Sequence, residues 1–175
     1  MSDIRNKTIN STHKGIVTAI TMVIAAVILF YFFHLPEKGL SQFFVISIYF
    51  LGIIWTIFSN KSNTNLTRFK DYFSEGFKAF IAVTFIWIIF TFIFYRINPQ
   101  ILENVINENN SILAKEGNRT LEEIKINEEK LRRNFMPIML SFTTVMYLFF
   151  GALVSLVCSV VISKKGNINP SITKR

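Results

Sequence analysis

The chain has 175 residues, of which 51% are hydrophobic, 15% aromatic and 17% charged, with a formal charge of +8 and a single cysteine. An ordinary soluble domain carries about 25% charged residues, and a soluble core of this size could not bury the 19 Phe residues. One cysteine also excludes a disulfide framework and a paired-cysteine zinc site. The composition therefore predicts an integral membrane protein.

Four runs without Asp, Glu, Lys or Arg are long enough to cross a bilayer. About 20 residues at a rise of ~1.5 Å cover a hydrocarbon core of ~30 Å. The predicted spans are residues 15–34, 42–59, 77–95 and 137–163, where the third uncharged run begins at Ala79 and is extended by Phe77 and Lys78. Because lipid offers the backbone no hydrogen bonds, each span is expected to be a helix. The first lacks a small-residue cleavage site, so we interpret it as an uncleaved anchor.

The segment just before the third span predicts an interfacial helix. In RFKDYFSEGFKAF, aromatic residues recur at helical spacing on one predicted face. These residues are Phe69, Tyr72, Phe73 and Phe77. The pattern is typical of a helix that lies against the inner leaflet before the chain turns into the span. An anchor is the simplest role, and a docking face for a cytoplasmic partner is the alternative.

Residues 97–135, between spans three and four, predict an extracytoplasmic helical hairpin. Asn98 and Pro99 are typical of a helix N-cap and first turn, and Gly117 favours the left-handed conformation that ends a helix. Thr120 and Glu123 then have the spacing of a capping box. We therefore expect a first helix that ends at Glu116, followed by a second.

The second helix of this hairpin carries charges at helical spacing and leads into the fourth span. Glu128 and Arg132 are placed to form an i,i+4 pair. Pro137 marks the entry to the span, where it can kink or re-aim the helix.

Small residues recur every four positions in the fourth span, at Gly151, Ser155 and Ser159. Small side chains at this spacing let two helix backbones approach closely. We expect the stripe to pack on another helix of the same chain, and a seam between two copies is the alternative.

The positive charges predict the orientation. The amino-terminal tail, the segment after span two and the carboxyl-terminal tail carry the whole Lys and Arg excess, whereas the hairpin is close to neutral. Excess Lys and Arg mark cytoplasmic segments, so both termini are expected in the cytoplasm. The charge is better explained by topology and anionic headgroups than by nucleic acid, and no nucleic-acid partner is expected.

The ionisable residues that membrane enzymes and coupled transporters use are missing from the interior of the predicted spans. No Asp, Glu, Lys or Arg lies in the four uncharged runs. His13 and His34 bracket the first span, so they would lie on opposite sides of the membrane and could not share a metal. We expect no catalytic site, no cofactor and no metal. An enzyme would have to use outer carboxylates such as Glu122 and Glu123.

Several segments resemble a known family. These are FSEGFKAF before span three, INPQILENVI after it, and FMPIMLSF and GALVSLVCSVVISKK around span four. They resemble an uncharacterised four-span membrane family of domain-of-unknown-function type, common in Bacteroidota, and the first two spans match it in layout. The resemblance implies a bacterial inner-membrane location and supplies no activity or catalytic residues.

The sequence thus predicts a single all-α membrane domain over residues 1–175, multi-pass in the bacterial inner membrane. We expect a non-enzymatic accessory or scaffold protein that contacts the lipid bilayer and binds a protein partner or a second copy through the hairpin. The alternative is a small oligomeric channel or passive transporter, with Thr84, Thr91 and Ser141 among the residues that would line its path.

Overall fold

The computed structural model describes residues 10–34, 39–60, 68–117 and 119–166, and the regular structure in these ranges is helical. The helices are α1 (Ser11–Tyr31), α2 (Leu40–Ser59), α3 (Phe69–Ile97), α4 (Gln100–Glu116) and α5 (Leu121–Gly166). Within the described ranges, α1, α2, α3 and α5 are long and apolar enough to cross a membrane. For the described ranges, an all-helical structure with four candidate spans is therefore confirmed.

The first span begins earlier than its uncharged run. We expected residues 15–34, but α1 runs from Ser11 to Tyr31. The side chain of Asn10 caps the helix by accepting a hydrogen bond from the Thr12 N–H at 3.4 Å. At the other end, His34 has a positive φ of 50°, which cannot continue an α-helix.

Two expected boundaries are absent because α3 and α5 each continue through them. α3 runs without interruption from Phe69 to Ile97, so no turn separates a preceding helix from the third span. α5 likewise continues through Pro137, so the second helix of the hairpin and the fourth span are one helix. A proline removes one backbone donor, and membrane helices tolerate this loss where neighbouring groups satisfy the carbonyl.

The ends of α4 and the start of α5 follow local capping rules with one exception. Gly117 has the expected left-handed backbone, with φ 68°. The Thr120 N–H donates to Glu123 Oε2 at 2.8 Å and the Glu123 N–H donates to Thr120 Oγ1 at 3.2 Å, which confirms the capping box. The expected Asn98 cap is wrong: Pro99 is the N-cap, and Asn98 Oδ1 accepts from the Gln100 side chain instead.

Contacts divide the chain into two units, Met1–Trp87 with Met146–Arg175, and Ile88–Val145. In unit 1 the helices alternate in direction. Lys14 near the start of α1 contacts Asn60 just after α2, and Gly76 near the start of α3 lies against Ile57 and Ser155, near the ends of α2 and α5. The start of α1, the end of α2, the start of α3 and the end of α5 therefore share one end of unit 1.

The core of unit 1 is apolar and closely packed. Its largest buried side chains are Tyr49, Phe80, Met22, Ile53 and Ile57. Small residues allow the helices to approach: Gly15 lies against the backbone of Ala79, and Gly52 lies against the Thr18 side chain. In a membrane the hydrophobic effect does not bring helices together, and close packing at small residues is what stabilises their association.

Unit 2 contains the end of α3, α4 and the first part of α5. Ile106 of α4 is buried, and the ring of Tyr95 meets the ring of Phe135 edge-on at 5.4 Å between centroids. Side-chain hydrogen bonds and ion pairs join α4 to α5 and are described below. The segment formed by residues 97–135 is called the α4–α5 arm from here on.

Candidate functional site

A buried polar network occupies the end of unit 1 at which α1, α2 and α3 meet. Its members are Ser11 and Lys14 of α1, Ser59 of α2 with the adjoining Asn60, and Glu75 and Lys78 of α3. The network joins three helices that are far apart in the sequence. It is therefore the principal cluster of polar chemistry in the described part of unit 1.

Lys14 is the most buried charge of the network, with 5% of its surface exposed. Its Nζ lies 2.5 Å from Ser59 Oγ and 2.9 Å from Asn60 Oδ1. The same ammonium lies 5.8 Å from the centre of the Trp55 ring. Two neutral oxygens and an aromatic face thus solvate the cation where water is excluded.

Glu75 is the anionic member of the network. The Ser11 hydroxyl donates to its carboxylate, and Lys78 Nζ lies 2.8 Å from its other oxygen. Asn60 Nδ2 donates to Ser11 Oγ at 2.7 Å and lies 3.5 Å from Glu75 Oε2. Asn60 therefore connects the Lys14 ammonium on one side to the Ser11–Glu75 pair on the other.

This arrangement connects three helices through hydrogen-bonded charges. The single carboxylate faces two lysines, so it offers a divalent cation a repelling environment. Hydrogen-bonded charges in a low-dielectric site are costly to separate, because each group left behind loses its partner without gaining water. The network accordingly fixes the relative positions of α1, α2 and α3.

The sequence pattern did not reveal this network because each charged member lies just outside an uncharged run. Lys14 precedes the predicted first span and Glu75 precedes the third. One signal was present: Ser11 and Lys14 are three residues apart, which places them on one helical face directly before the span. Their partners on α2 and α3 could not be identified from spacing alone.

The small-residue stripe of α5 lies within unit 1. A Cβ at Gly151 would come 2.2 Å from Tyr49 Oη and 2.7 Å from Phe80 Cγ. Ser155 lies beside Gly76 of α3, and Ser155 and Ser159 are fully buried. The stripe thus faces α2 and α3 of the same chain.

The four aromatic residues predicted to form an interfacial face do not share one. Tyr72 is only 6% exposed and belongs to the core of unit 1. Phe69, Phe73 and Phe77 instead form a ladder of rings along α3, with centroids 5.8 Å and then 6.3 Å apart. The position of this ladder at a membrane surface stays a prediction.

The α4–α5 arm contains a second polar cluster, centred on Arg132. Its guanidinium bonds both carboxylate oxygens of Glu103 on α4, one of them at 2.7 Å, and lies 2.9 Å from Glu128 Oε1. Asn110 Nδ2 of α4 donates to Glu128 Oε2 at 3.0 Å. The hydrogen bond from Arg132 holds the pKa of Glu103 below its ordinary value. The expected Glu128–Arg132 pair is therefore part of a larger link between the helices.

Comparison with known proteins identifies a family. Residues 14–164 match the model of a family described as "Protein of unknown function (DUF4199)", and the chain belongs to this family. Neither the curated proteins nor the solved structures yielded a match. The matched range begins at Lys14 of the buried polar network and includes the whole α4–α5 arm. Membership in a family of unknown function, anticipated from the sequence, is confirmed.

Proposed function

We propose that this member of the DUF4199 family is a non-enzymatic accessory protein of the bacterial inner membrane, whose α4–α5 arm is the scaffold for a protein partner. Both termini lie in the cytoplasm and the arm lies outside. The alternating helix directions in unit 1 support this orientation, since they group the start of α1 with the end of α2 and the start of α3, next to the segments rich in Lys and Arg. An excess of Lys and Arg marks the cytoplasmic side.

The observation that carries the proposal is that the arm is a folded element with an exposed surface. Arg132 clamps α4 to α5 through Glu103 and Glu128. Apolar side chains nevertheless face outward near the tip, where Leu121 is 88% exposed and Ile112 is also exposed. Preorganised helices with exposed apolar side chains bind partners at a low entropic cost.

The carboxylates of the arm support a non-enzymatic role. Glu123, one of the two that an enzyme would have to use, is occupied as the acceptor of the capping box. Glu103 and Glu128 are held by Arg132. A general base needs a raised pKa and access to a substrate, whereas the pKa of Glu103 is lowered by its arginine.

A channel or passive transporter remains the alternative function, and the packing of unit 1 limits its form. Tyr49, Phe80 and Ile53 are fully buried where a path through one chain would run. Of the residues expected to line a path, Thr84 is buried in this core. Any path would therefore have to run between copies.

The orientation is tested by labelling with a membrane-impermeant maleimide. Glu122→Cys on the arm and Lys70→Cys on α3 are placed separately in a Cys158→Ser background. We expect Glu122→Cys to react in intact spheroplasts and Lys70→Cys to react only after the membrane is permeabilised. The reverse pattern would place the arm in the cytoplasm and end the proposal.

The partner is tested by photocross-linking in native membranes from exposed arm positions such as Ser111, Leu121 and Lys125. Leu51 and Val157, exposed on the helices of unit 1, serve as matched lipid-facing positions. We expect a discrete protein adduct from the arm positions alone. Its loss in Arg132→Ala would show that the folded arm is required. An adduct of twice the mass of the chain would identify a second copy, and identical patterns from arm and lipid-facing positions would contradict the scaffold role.

A further inference from the structure

Two rows of side chains run in parallel along the first turns of α3. The polar row is Lys70, Ser74 and Lys78, and the apolar row beside it is Phe73, Phe77, Ile81 and Phe85. Residues four apart lie on the same side of a helix, one turn above another. Each row is therefore continuous, with the cations at the start of α3 and the apolar residues extending deeper into the span.

Most members of the two rows lie away from the core of unit 1, whereas Phe73 and Ser74 are half-buried. The buried side of this part of α3 consists of Tyr72, Gly76, Ala79, Phe80 and Val83. By contrast, Phe77, Ile81 and Phe85 are exposed, with Phe85 66% exposed, and the Lys78 side chain is 48% exposed. The two rows thus form an outward face that the described residues of unit 1 leave open.

The buried polar network sets the depth of this face. Lys14, Asn60 and Glu75 meet at the level where the apolar stretch of α1 begins and that of α2 ends. This level marks the edge of the hydrocarbon region. α3 continues from Glu75 back to Phe69, about 9 Å along its axis. This stretch crosses the headgroup layer, so Lys70 and Ser74 lie at headgroup depth and Lys78 can extend its ammonium toward it.

Of the two cations on this face, Lys78 pairs with Glu75 at 2.8 Å and keeps its remaining N–H donors for a ligand. Lys70 forms no ion pair among the residues that the structure describes. Glu75, the partner of Lys78, directs its second oxygen inward to Ser11 and Asn60. Asp71 accepts a hydrogen bond from the Arg68 N–H at the start of α3. The polar row therefore presents two exposed cations, with the half-buried Ser74 between them.

We propose that this face of α3 is a binding site for an anionic phospholipid. The phosphate lies beside the Ser74 hydroxyl, between the ammonium groups of Lys70 and Lys78, and one acyl chain lies along Phe77, Ile81 and Phe85. A phospholipid is the occupant that matches both rows, because it joins an anion at headgroup depth to a hydrocarbon chain directly below it. The site requires that α3 crosses the membrane and is independent of any partner of the α4–α5 arm.

The test uses the purified full chain in a neutral detergent, titrated with phosphatidylglycerol or with phosphatidylcholine of the same acyl chains. Native mass spectrometry counts the lipids bound to each molecule. We expect one phosphatidylglycerol to bind at least fivefold more tightly than phosphatidylcholine. Lys70→Gln/Lys78→Gln should weaken that binding about 25-fold, because each suitably placed cation contributes roughly a fivefold factor and the two factors multiply.

Three comparisons separate a site from a general charge effect. Lys115→Gln/Lys125→Gln removes the same charge from the arm and should leave lipid binding unchanged. Lys78→Arg keeps the charge and the pair with Glu75, so it should bind phosphatidylglycerol like the wild type. Lys70→Gln alone, at an exposed residue outside the buried polar network, should weaken the binding about fivefold. Phe85→Ser should weaken phosphatidylglycerol binding through the acyl row.

Several results would overturn the site. These are equal affinity for the two lipids, an equal loss in the arm variant, or no loss in Lys70→Gln. A dimer whose abundance falls in Lys70→Gln, without a change in lipid binding, would assign the face to a contact between copies. Because the arm is untouched by the α3 variants, a failure here leaves the cross-linking test of the scaffold role unaffected.

Discussion

The phenolic oxygen of Tyr49 on α2 lies 2.6 Å from the main-chain carbonyl oxygen of Tyr147 on α5, and the two rings meet edge-on at 4.9 Å. The hydroxyl donates to a carbonyl within an apolar core. In that environment a lost bond cannot be replaced by water. This hydrogen bond joins the second and fourth candidate spans directly.

Tyr49→Phe is therefore expected to destabilise unit 1 by about 0.6 to 2 kcal/mol, the range for hydrogen bonds between membrane helices. Reversible unfolding of the purified protein in mixed micelles measures the change. Tyr147→Phe is the matched control, because the acceptor is the main-chain carbonyl and survives the substitution. Equal destabilisation by the two variants would show that the Tyr49 hydroxyl has no special role.

Gly151→Ala is expected to destabilise unit 1 because the new Cβ would lie 2.2 Å from Tyr49 Oη and 2.7 Å from Phe80 Cγ. Overpacking of this kind costs about 1 to 3 kcal/mol. The same unfolding assay measures it, with Val157→Ala on the exposed side of α5 as the control.

A double variant sharpens this prediction. Tyr49→Phe removes the atom nearest to the new methyl group, so Gly151→Ala should cost less in that background than in the wild type. Strictly additive losses would mean that Tyr49 and Gly151 do not contact each other.

Lys14→Met and Asn60→Leu test the buried polar network. Each substitution leaves a buried polar partner without its hydrogen bond, since Lys14 Nζ and Asn60 Oδ1 are 2.9 Å apart. Each loss is expected to cost about 1 to 3 kcal/mol. The double variant should lose less than the sum, with a coupling energy of about 0.5 to 3 kcal/mol. Lys164→Met, at an exposed position, is expected to be neutral.

Acid is expected to loosen the α4–α5 arm. The pKa of Glu103 is lowered by the hydrogen bond from Arg132, so the pair stabilises the arm fully above the ordinary glutamate value. That contribution is lost as the pH falls from about 4.3 through the lowered value. Spin labels at Ser111 and Lys125 report the change as a broader distance distribution.

The charge pair itself is tested at neutral pH. Arg132→Gln should broaden the same distance distribution without acid, since it removes both links to Glu103. Arg133→Gln, the neighbouring exposed arginine, should not. An acid response that persists unchanged in Arg132→Gln would assign it to other groups.

Local features were predictable from the sequence because the interactions that form them join neighbouring residues. The Thr120–Glu123 capping box spans three residues, and the left-handed Gly117 follows from the absence of a side chain. The exception at Asn98 is also local. Its side-chain oxygen accepts a hydrogen bond from the Gln100 side chain, and not from a backbone N–H in the first turn of α4. The four apolar runs predict the helices for a general reason, which is that lipid leaves the backbone no other hydrogen-bonding partner.

Local patterns in the sequence thus specified four apolar helices, the left-handed Gly117, the capping box of α5 and the concentration of positive charge. The tertiary structure alone decided that Ser11 meets Glu75, 64 residues away, and that Lys14 meets Asn60, 46 residues away. It also decided that Gly151 packs against Tyr49 and Phe80, and that Tyr72 is buried in the core. These contacts could not be predicted because the burial of a charge, or a close approach to a glycine, depends on which helix from elsewhere in the chain packs against that residue. No spacing within a single helix specifies that neighbour.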